Sequence, residues 1–275
     1  MKVSFLGVRG STPAPGAEFV EVGGNTSCVA VAHDDEPPTL VLDAGTGIRR
    51  LTDLLAGWPF RGTILLTHLH WDHVQGLPFF AAGDRDDADV VLAVPDQGPG
   101  SPGAADVLGR AMSPPHFPIG PDGLRGSWRF ESLPPGCGRR EGFDVTALEV
   151  AHKGGITYGY RISDGRATFA YLPDHATTEP CEPRLAENAR RLAAGADVLV
   201  HDAQFVAGEE AVATAYGHAL VEDAVRLATE AGVQQLLLFH HGPNRTDEEV
   251  ARLGADAVSE RVAVSVATET TTLSL

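Results

Sequence analysis

The sequence predicts an α/β fold built as one large unit. Its 275 residues are long for an average domain but ordinary for one large α/β domain, and a hydrophobic content of 43% is enough for a sizeable core. Short apolar runs with β-branched residues recur along the chain, and stretches of helical character fall between many of them.

The first run, KVSFLG within MKVSFLGVRG, is far too short for a signal peptide and reads as a strand. SCVAVA, TLVLD and TILLTH follow, with a helix over 48–56 between the last two, and then DVVLAV. Length and β-branched content favour strands over short helices for all of them. The next stretch, PDQGPGSPGAADVLGRAMSPPHFPIGPDGLRG at 95–126, is dense in Pro and Gly and reads as a long loop with one short helix over 104–111. Polar clusters fall on both sides of it and neither flank looks self-sufficient. Residues 1–275 are therefore expected to form one domain with an insert at 95–126. Long ordered loops of this kind are often lids or substrate-contact segments. Beyond it FDVTALEV, TYGYRI and ATFAYLPD read as strands, followed by helix 182–194, strand ADVLVHDA, helix 220–231, strand QQLLLFHH, helix 247–261 and strand AVSVA. The last helix has Thr246 as its N-cap and Glu249 three residues on, the spacing of a capping box. No repeat of solenoid length is present.

Formal net charge is −16, which repels polyanions unless a local positive patch or bound cations intervene, so long nucleic acid is disfavoured as a partner. Cys28, Cys137 and Cys181 are odd in number and widely spaced; no disulfide framework is expected, and a reducing cytoplasm is the default compartment. No run reaches the roughly 18 apolar residues of a membrane span. Neither GxxxxGK[ST] nor a GxGxxG opening a helix after a strand occurs, which disfavours nucleotide binding by those routes.

The chemistry concentrates in THLHWDH, residues 67–73, at the end of the apolar run TILL. His68 and His70 alternate by two, so in an extended segment they point to one side, and Asp72 and His73 follow where the strand ends. Imidazole and carboxylate at close quarters suit zinc and related divalent metals. One such histidine is more often a satisfied polar group, but that does not account for four donors in six residues. His152 ends FDVTALEVAH, Asp174 ends ATFAYLPD and His240 ends QQLLLFH, each at the carboxyl end of an apolar run, where an α/β sheet places its site. Singly, each is as consistent with a surface or capping residue; together they complete a pattern.

That pattern, HxHxDH and then an ordered His, Asp and His, resembles the metallo-β-lactamase fold superfamily of metallohydrolases along nearly the whole chain. GVRGSTPAPG…VGGNTSC, LDAGTG, HKGGITYGYR, YLPDH, HDAQF, GHA and LLLFHHGP narrow the likeness to the phosphodiesterase branch, which contains ribonuclease Z and the phosphoribosyl cyclic phosphodiesterases. The resemblance implies a four-layer αββα sandwich, with two mixed sheets face to face, helices outside and a dinuclear site at one edge. It implies that His68, His70 and His152 hold one divalent ion, that Asp72, His73 and His240 hold a second, and that Asp174 bridges them. Zinc is expected, with manganese or iron(II) as alternatives. A hydroxide between the two metals would be the in-line nucleophile at phosphorus, and the metals would neutralise phosphoryl charge. His218 of YGHAL would protonate the leaving oxygen with support from Asp202 of HDAQF, so that Asp72, His218 and Asp202 form the catalytic set. Ala219 stands where relatives often carry serine. Asp43 of LDAGTG would orient a histidine of the site or cap a helix. Of the other histidines, His241 is expected to face away, His175 to line the pocket beside Asp174, His116 to be a loop residue, and His33 and His201 to be structural. Arg9, Ser11, Asn25 and Thr26 read as turn chemistry or as the pocket's edge.

The implied function is hydrolysis of a phosphodiester, with a small or cyclic nucleotide-like anion as the expected substrate, no membrane partner, and a homodimer as an option for assembly. A tRNA 3′-processing endonuclease is the first alternative, although 95–126 is unconvincing as an arm to hold tRNA because its only cations are Arg110 and Arg125. The second is another reaction on the same donors: thioester, lactone or other ester hydrolysis, or iron-dependent sulfur oxidation. The third is a metal-stabilised binding protein, which need not keep a bridging Asp174.

Overall fold

Strands with apolar faces must bury them, and this chain does so with two seven-stranded sheets. The computed structural model of the protein describes residues 1–177 and 182–275, so Cys181 lies outside the described residues. The first sheet is built from β1 (Lys2–Gly7), β2 (Cys28–Ala32), β3 (Leu40–Leu42), β4 (Arg61–Leu65), β5 (Asp89–Pro95) and β6 (Ser127–Leu133). The second holds β7 (Gly136–Arg140), β8 (Phe143–Val150), β9 (Thr157–Ser163), β10 (Thr168–Leu172), β11 (Val198–Asp202), β12 (Gln235–Phe239) and β13 (Ala263–Val266). β14 (Thr272–Ser274) returns to the first sheet beside β1, giving the orders β14-β1-β2-β3-β4-β5-β6 and β13-β12-β11-β10-β9-β8-β7. Both sheets are mixed in the same way. One half is an antiparallel meander, and the other, β3–β6 or β10–β13, is parallel.

Between the sheets, Phe5, Val29, Val31 and Leu42 meet Tyr160, Phe169, Tyr171 and Phe239. Phe5 packs on Phe169 and Phe239 at ring distances of 6.5 and 6.1 Å. Each such side chain contributes about 1.5–3 kcal/mol when fully buried. The outer face of the first sheet is covered by α1 (Leu51–Leu54), α2 (Trp71–Val74) and α3 (Ala104–Gly109), through Leu51, Val74 and Leu108. The outer face of the second is covered by α4 (Pro183–Ala193) and α6 (Val221–Glu230), through Leu192 and Leu227. The result is the αββα sandwich. α5 (Glu210–Tyr216) and α7 (Asp247–Asp256) are the remaining α-helices among the described residues. α7 opens on Thr246 with the capping box expected from Glu249, but ends short of 261.

The expected strand TILLTH ends at Leu65, three residues before His68. The reason is local: the amide of Thr67 donates to the Asp43 carboxylate at 2.7 Å instead of to a neighbouring strand. The donors that follow therefore sit on an irregular segment and on the short helix α2, whose inward residues are Asp72, His73 and Val74.

Candidate metal centre

The seven side chains singled out as metal donors meet beyond the carboxyl ends of β4, β8, β10 and β12. His68 and His70 lie on the segment after β4, Asp72 and His73 on α2, and His152, Asp174 and His240 follow β8, β10 and β12. Asp174 is buried between two groups and turns one oxygen to each. Its Oδ2 lies 3.7 Å from His68 Nε2 and 3.4 Å from His152 Nε2. Its Oδ1 lies 3.1 Å from His73 Nε2 and 3.2 Å from His240 Nε2. On the first side His70 Nδ1 stands 3.2 Å from His152 Nε2. On the second, Asp72 Oδ2 stands 3.1 Å from His240 Nε2 and 3.4 Å from His73 Nε2.

This arrangement fits divalent cations. His68 Nε2, His73 Nε2 and Asp174 Oδ1 are buried and have no hydrogen-bond partner, a costly state for three converging polar atoms. Donors about 2.0–2.2 Å from a common ion would stand roughly 3.0–3.5 Å apart, close to the separations seen. Within each group, His68/His70/His152/Asp174 and Asp72/His73/His240, the donor atoms all lie within 4.8 Å of one another.

The surrounding hydrogen bonds aim the rings. The Asp43 carboxylate accepts from Thr67 N and Oγ1, from Tyr171 OH at 3.0 Å and from His73 Nδ1 at 2.8 Å, so His73 presents Nε2 inward. Asp43 caps no helix; the following 3-10 turn starts from Gly45 without a side-chain cap. His152 Nδ1 donates to Gly217 O at 2.7 Å, which turns its Nε2 toward Asp174. Ser11 N donates to Asp72 Oδ2 at 2.7 Å. Beside it Gly10 is required, because a Cβ there would come within 2.4 Å of the His240 ring. Ser11, Asp43 and His240 hold φ values of 64°, 60° and 56°, a left-handed region that disfavours residues with a Cβ.

Charge follows from the same geometry. Burial holds the His68 imidazolium well below the usual histidine range, and His73 adds to the effect. Burial likewise brings His152 down to about 4 against the pull of Asp174. His73 goes the other way: burial opposes its charge, but Asp174, Asp43 and Asp72 together raise it well above the usual value. Asp72 and Asp174 stay well below the carboxylate range despite burial, Asp72 mainly through His73 and Asp174 mainly through His240 and His73. The two carboxylates are thus ionised and ready to face cations.

His218, between α5 and α6, donates from Nδ1 to the buried Asp202 Oδ2 at 2.7 Å. Burial disfavours its imidazolium, yet the charge and hydrogen bond of Asp202, with Asp174 and Asp72, push it up to about 9. Its ring stacks at 5.2 Å from that of His240. Asp202 is itself held by the amides of His175 and Gln204.

Over these groups opens a cavity of about 890 Å³ whose walls include Ser11, Trp71, Gln204, Phe205, Tyr216 and Arg245. Ser11 was expected as turn or edge and lies at the edge. Trp71, Gln204, Phe205, Tyr216 and Arg245 were not assigned from sequence, because motif spacing does not report which neighbours reach a cleft. His175 does not line this cavity; its Nδ1 lies 2.9 Å from His201 Nε2, facing behind Asp202. His241 does face away, to Ala267 O, and His33 stacks on Phe143 at 4.0 Å. Asn25 bonds Glu269, and Thr26 pairs with Thr46. The insert, expected as a lid or contact segment, contributes no wall to this cavity; it lines a neighbouring one.

Arg9 is fully buried and anchors the loop that brings Ser11 to Asp72. Its guanidinium donates to Gly23 O at 2.8 Å, Arg245 O at 2.7 Å and Asp247 Oδ1 at 3.1 Å. Arg9→Met is expected to lower stability by about 2–4 kcal/mol in urea unfolding, since it leaves two carbonyls without their donor and removes the ion pair, while Asp247 keeps the amides of Glu21 and Val22. A loss under about 1 kcal/mol would show that the anchor is dispensable.

Ribonuclease Z of Streptococcus suis (strain 98HAH33) is 27% identical, over 94% of this chain and 94% of its own. Two solved structures share the fold. The metallo-beta-lactamase fold protein YhfI from Bacillus subtilis has a TM-score of 0.74 at 19% identity and covers 99% of each chain. The short form of human tRNase Z has a TM-score of 0.69 at 20% identity and covers 100% of this chain and 99% of that one. The family profile described as "Beta-lactamase superfamily domain" matches residues 39–241, a span that takes in Asp43, both donor groups and the His218–Asp202 pair, and the chain belongs to that superfamily.

Proposed function

We propose that the protein is a metal-dependent phosphodiesterase whose substrate is a small or cyclic nucleotide-like diester. The observation that supports this most is the placement of two donor groups on the two oxygens of Asp174, with a buried His218–Asp202 pair in the same cleft. His68, His70, His152 and Asp174 would hold one cation, and Asp72, His73, His240 and Asp174 the other. Zinc is the expected metal and manganese or iron(II) the alternatives, since the donors are imidazole and carboxylate. Two dications bound there supply Lewis-acid polarisation of the phosphoryl group and a water of lowered pKa. The chain's own residues do the rest. Asp72, fixed by Ser11 N, holds the second group together. His218, locked by Asp202 at Nδ1, has Nε2 available to the cleft and gives a proton to the leaving oxygen.

A small substrate is favoured by charge. The net charge is −16, and the cation lining the cleft, Arg245, is ion-paired with Glu209. In the insert, Arg125 is paired with Asp84. The cytoplasm is the proposed compartment, supported by the free thiols Cys28 and Cys137. Among the described residues, no helix is long and apolar enough to cross a membrane. The second reading, tRNA 3′-processing, draws on the full-length similarity to a ribonuclease Z. Assays of zinc-loaded protein on 2′,3′-cyclic nucleotides and on a tRNA precursor, at low and high salt, decide between them. Turnover of the precursor alone, with a steep salt dependence, would overturn the small-substrate reading.

The gently purified protein is expected to contain close to two equivalents of divalent metal. Removing them should lower Tm by roughly 10 °C, because a ligand at 1,000 times its Kd adds about 4 kcal/mol to a folded state. Full-rate hydrolysis by metal-free protein would end the proposal.

A further inference from the structure

A second cavity, of about 690 Å³, lies between α2, the 3-10 turn Leu77–Phe79 and the insert. None of the seven metal donors, nor His218 or Asp202, lines it. Its walls include Trp71, Phe79, Phe117 and Met112, with Gln75, Arg110 and His116 as polar groups and no carboxylate. Trp71 is 75% exposed and Phe79 58% exposed. Two large aromatic side chains held in water at a concave surface forgo about 1.5–3 kcal/mol each relative to burial. Phe79, from the segment after α2, meets Phe117 of the insert edge to face at 5.8 Å, so both elements shape one aromatic wall.

Trp71 also lines the cavity over the donor groups, and in the chain it stands between His70 and Asp72. The two cavities therefore meet at Trp71. The aromatic faces suit a flat heterocycle, whose ring nitrogens and carbonyls can accept hydrogen bonds from Gln75, Arg110 and His116. We infer that this cavity is a base-binding subsite: the nucleobase of the substrate stacks on Trp71 against the Phe79–Phe117 wall while its phosphodiester lies beneath His218. The placement of the phosphate rests on the phosphodiesterase reading; the aromatic occupant does not. The insert then serves as the wall that selects the substrate.

Two comparisons test this on zinc-loaded protein. In calorimetric binding, adenosine 5′-monophosphate should exceed ribose 5-phosphate in affinity by at least about tenfold; Trp71→Ala, Phe79→Ala and Phe117→Ala should each weaken the nucleotide by about 5–100-fold, and Phe79→Ala and Phe117→Ala should leave ribose 5-phosphate unchanged. In turnover, Phe79→Ala and Phe117→Ala should raise KM for adenosine 2′,3′-cyclic phosphate by a similar factor with kcat kept, and not for the abasic cyclic phosphate of 1-O-methylribose. Equal affinity for the two monophosphates, or equal losses on base-bearing and abasic ligands, would overturn the subsite. Octyl phosphate outcompeting the nucleotide would assign the cavity to an aliphatic chain and overturn it too. If neither cyclic diester is cleaved but nucleotide binding keeps its dependence on the three aromatics, the phosphodiesterase reading falls and the subsite stands. If both are cleaved without base preference, the subsite falls and the reading stands.

Discussion

Asp174→Ala is expected to reduce phosphodiester turnover by more than about 10⁴-fold, a loss of roughly 5–6 kcal/mol of transition-state stabilisation, and to leave at most one bound metal per chain. One carboxylate serves both donor groups, with Oδ2 toward His68 and His152 and Oδ1 toward His73 and His240 at 3.1–3.7 Å. No other side chain in the centre faces both groups in this way, so its removal separates them. The fold should persist, because Asp174 follows β10 and contributes nothing to the apolar layer between the sheets. Asp72→Ala should show the same loss of turnover, with His240 and His73 losing their second carboxylate. Metal analysis and circular dichroism on each variant separate loss of the centre from loss of the fold. An Asp174→Ala protein with two metals and near wild-type rate would show the assignment of donors to be wrong.

His218→Ala should slow a diester with a poor alkoxide leaving group by about 10²–10⁴-fold, the usual scale of general acid–base catalysis. With p-nitrophenolate leaving, protonation is scarcely needed, so bis(p-nitrophenyl) phosphate should suffer much less. The asymmetry follows from the ring's setting: Nδ1 is committed to Asp202 at 2.7 Å, and the imidazolium is stabilised by that carboxylate against its own burial. Asp202→Asn should give a weaker form of the same asymmetry, since it removes the charge behind the ring but keeps a hydrogen-bonding group. Metal content should be unchanged in both. Equal losses on the two substrates would assign His218 to positioning or metal support.

Much of this fold is legible in the sequence because its strands read either as buried apolar runs, as in KVSFLG, or as apolar–polar alternation, as in FDVTALEV. KVSFLG and FDVTALEV coincide with β1 and β8 to the residue. β6, β7 and β14 are not legible in the sequence because they lie at sheet edges and are largely exposed or half-exposed; Gly-Cys-Gly-Arg-Arg carries no strand pattern. The four-residue α2 and seven-residue α5 are too short to show a period. The donors were legible because four of them crowd into residues 68–73 and three more follow in order at the ends of apolar runs, and the chain brings all seven side chains together. The cleft walls were not: whether Trp71 in the motif points to solvent, or Tyr216 of α5 reaches across to the centre, depends on packing between elements distant in the chain. His175 shows the converse, since adjacency to Asp174 suggested the pocket while its ring turns to His201.

Six non-glycine residues among those described have left-handed backbones, and three of them, Ser11, Asp43 and His240, hold the centre; Asp35, Ala56 and Glu141 occupy turns. Backbones of this kind are strained by about 1–3 kcal/mol each. Conformational frustration is therefore concentrated where the chemistry is placed, and the cation-free chain meets it together with three unsatisfied buried atoms. In the cation-free chain, glycine or asparagine at His240 would ease the backbone and dismantle the centre, whereas the strain at Asp43 is offset by the hydrogen bonds its carboxylate accepts from Thr67, Tyr171 and His73. A library of this protein selected for thermal survival in a chelator is expected to lose His240 and keep Asp43, whereas one selected in the presence of zinc keeps both, because bound cations stabilise the fold by more than the strain costs.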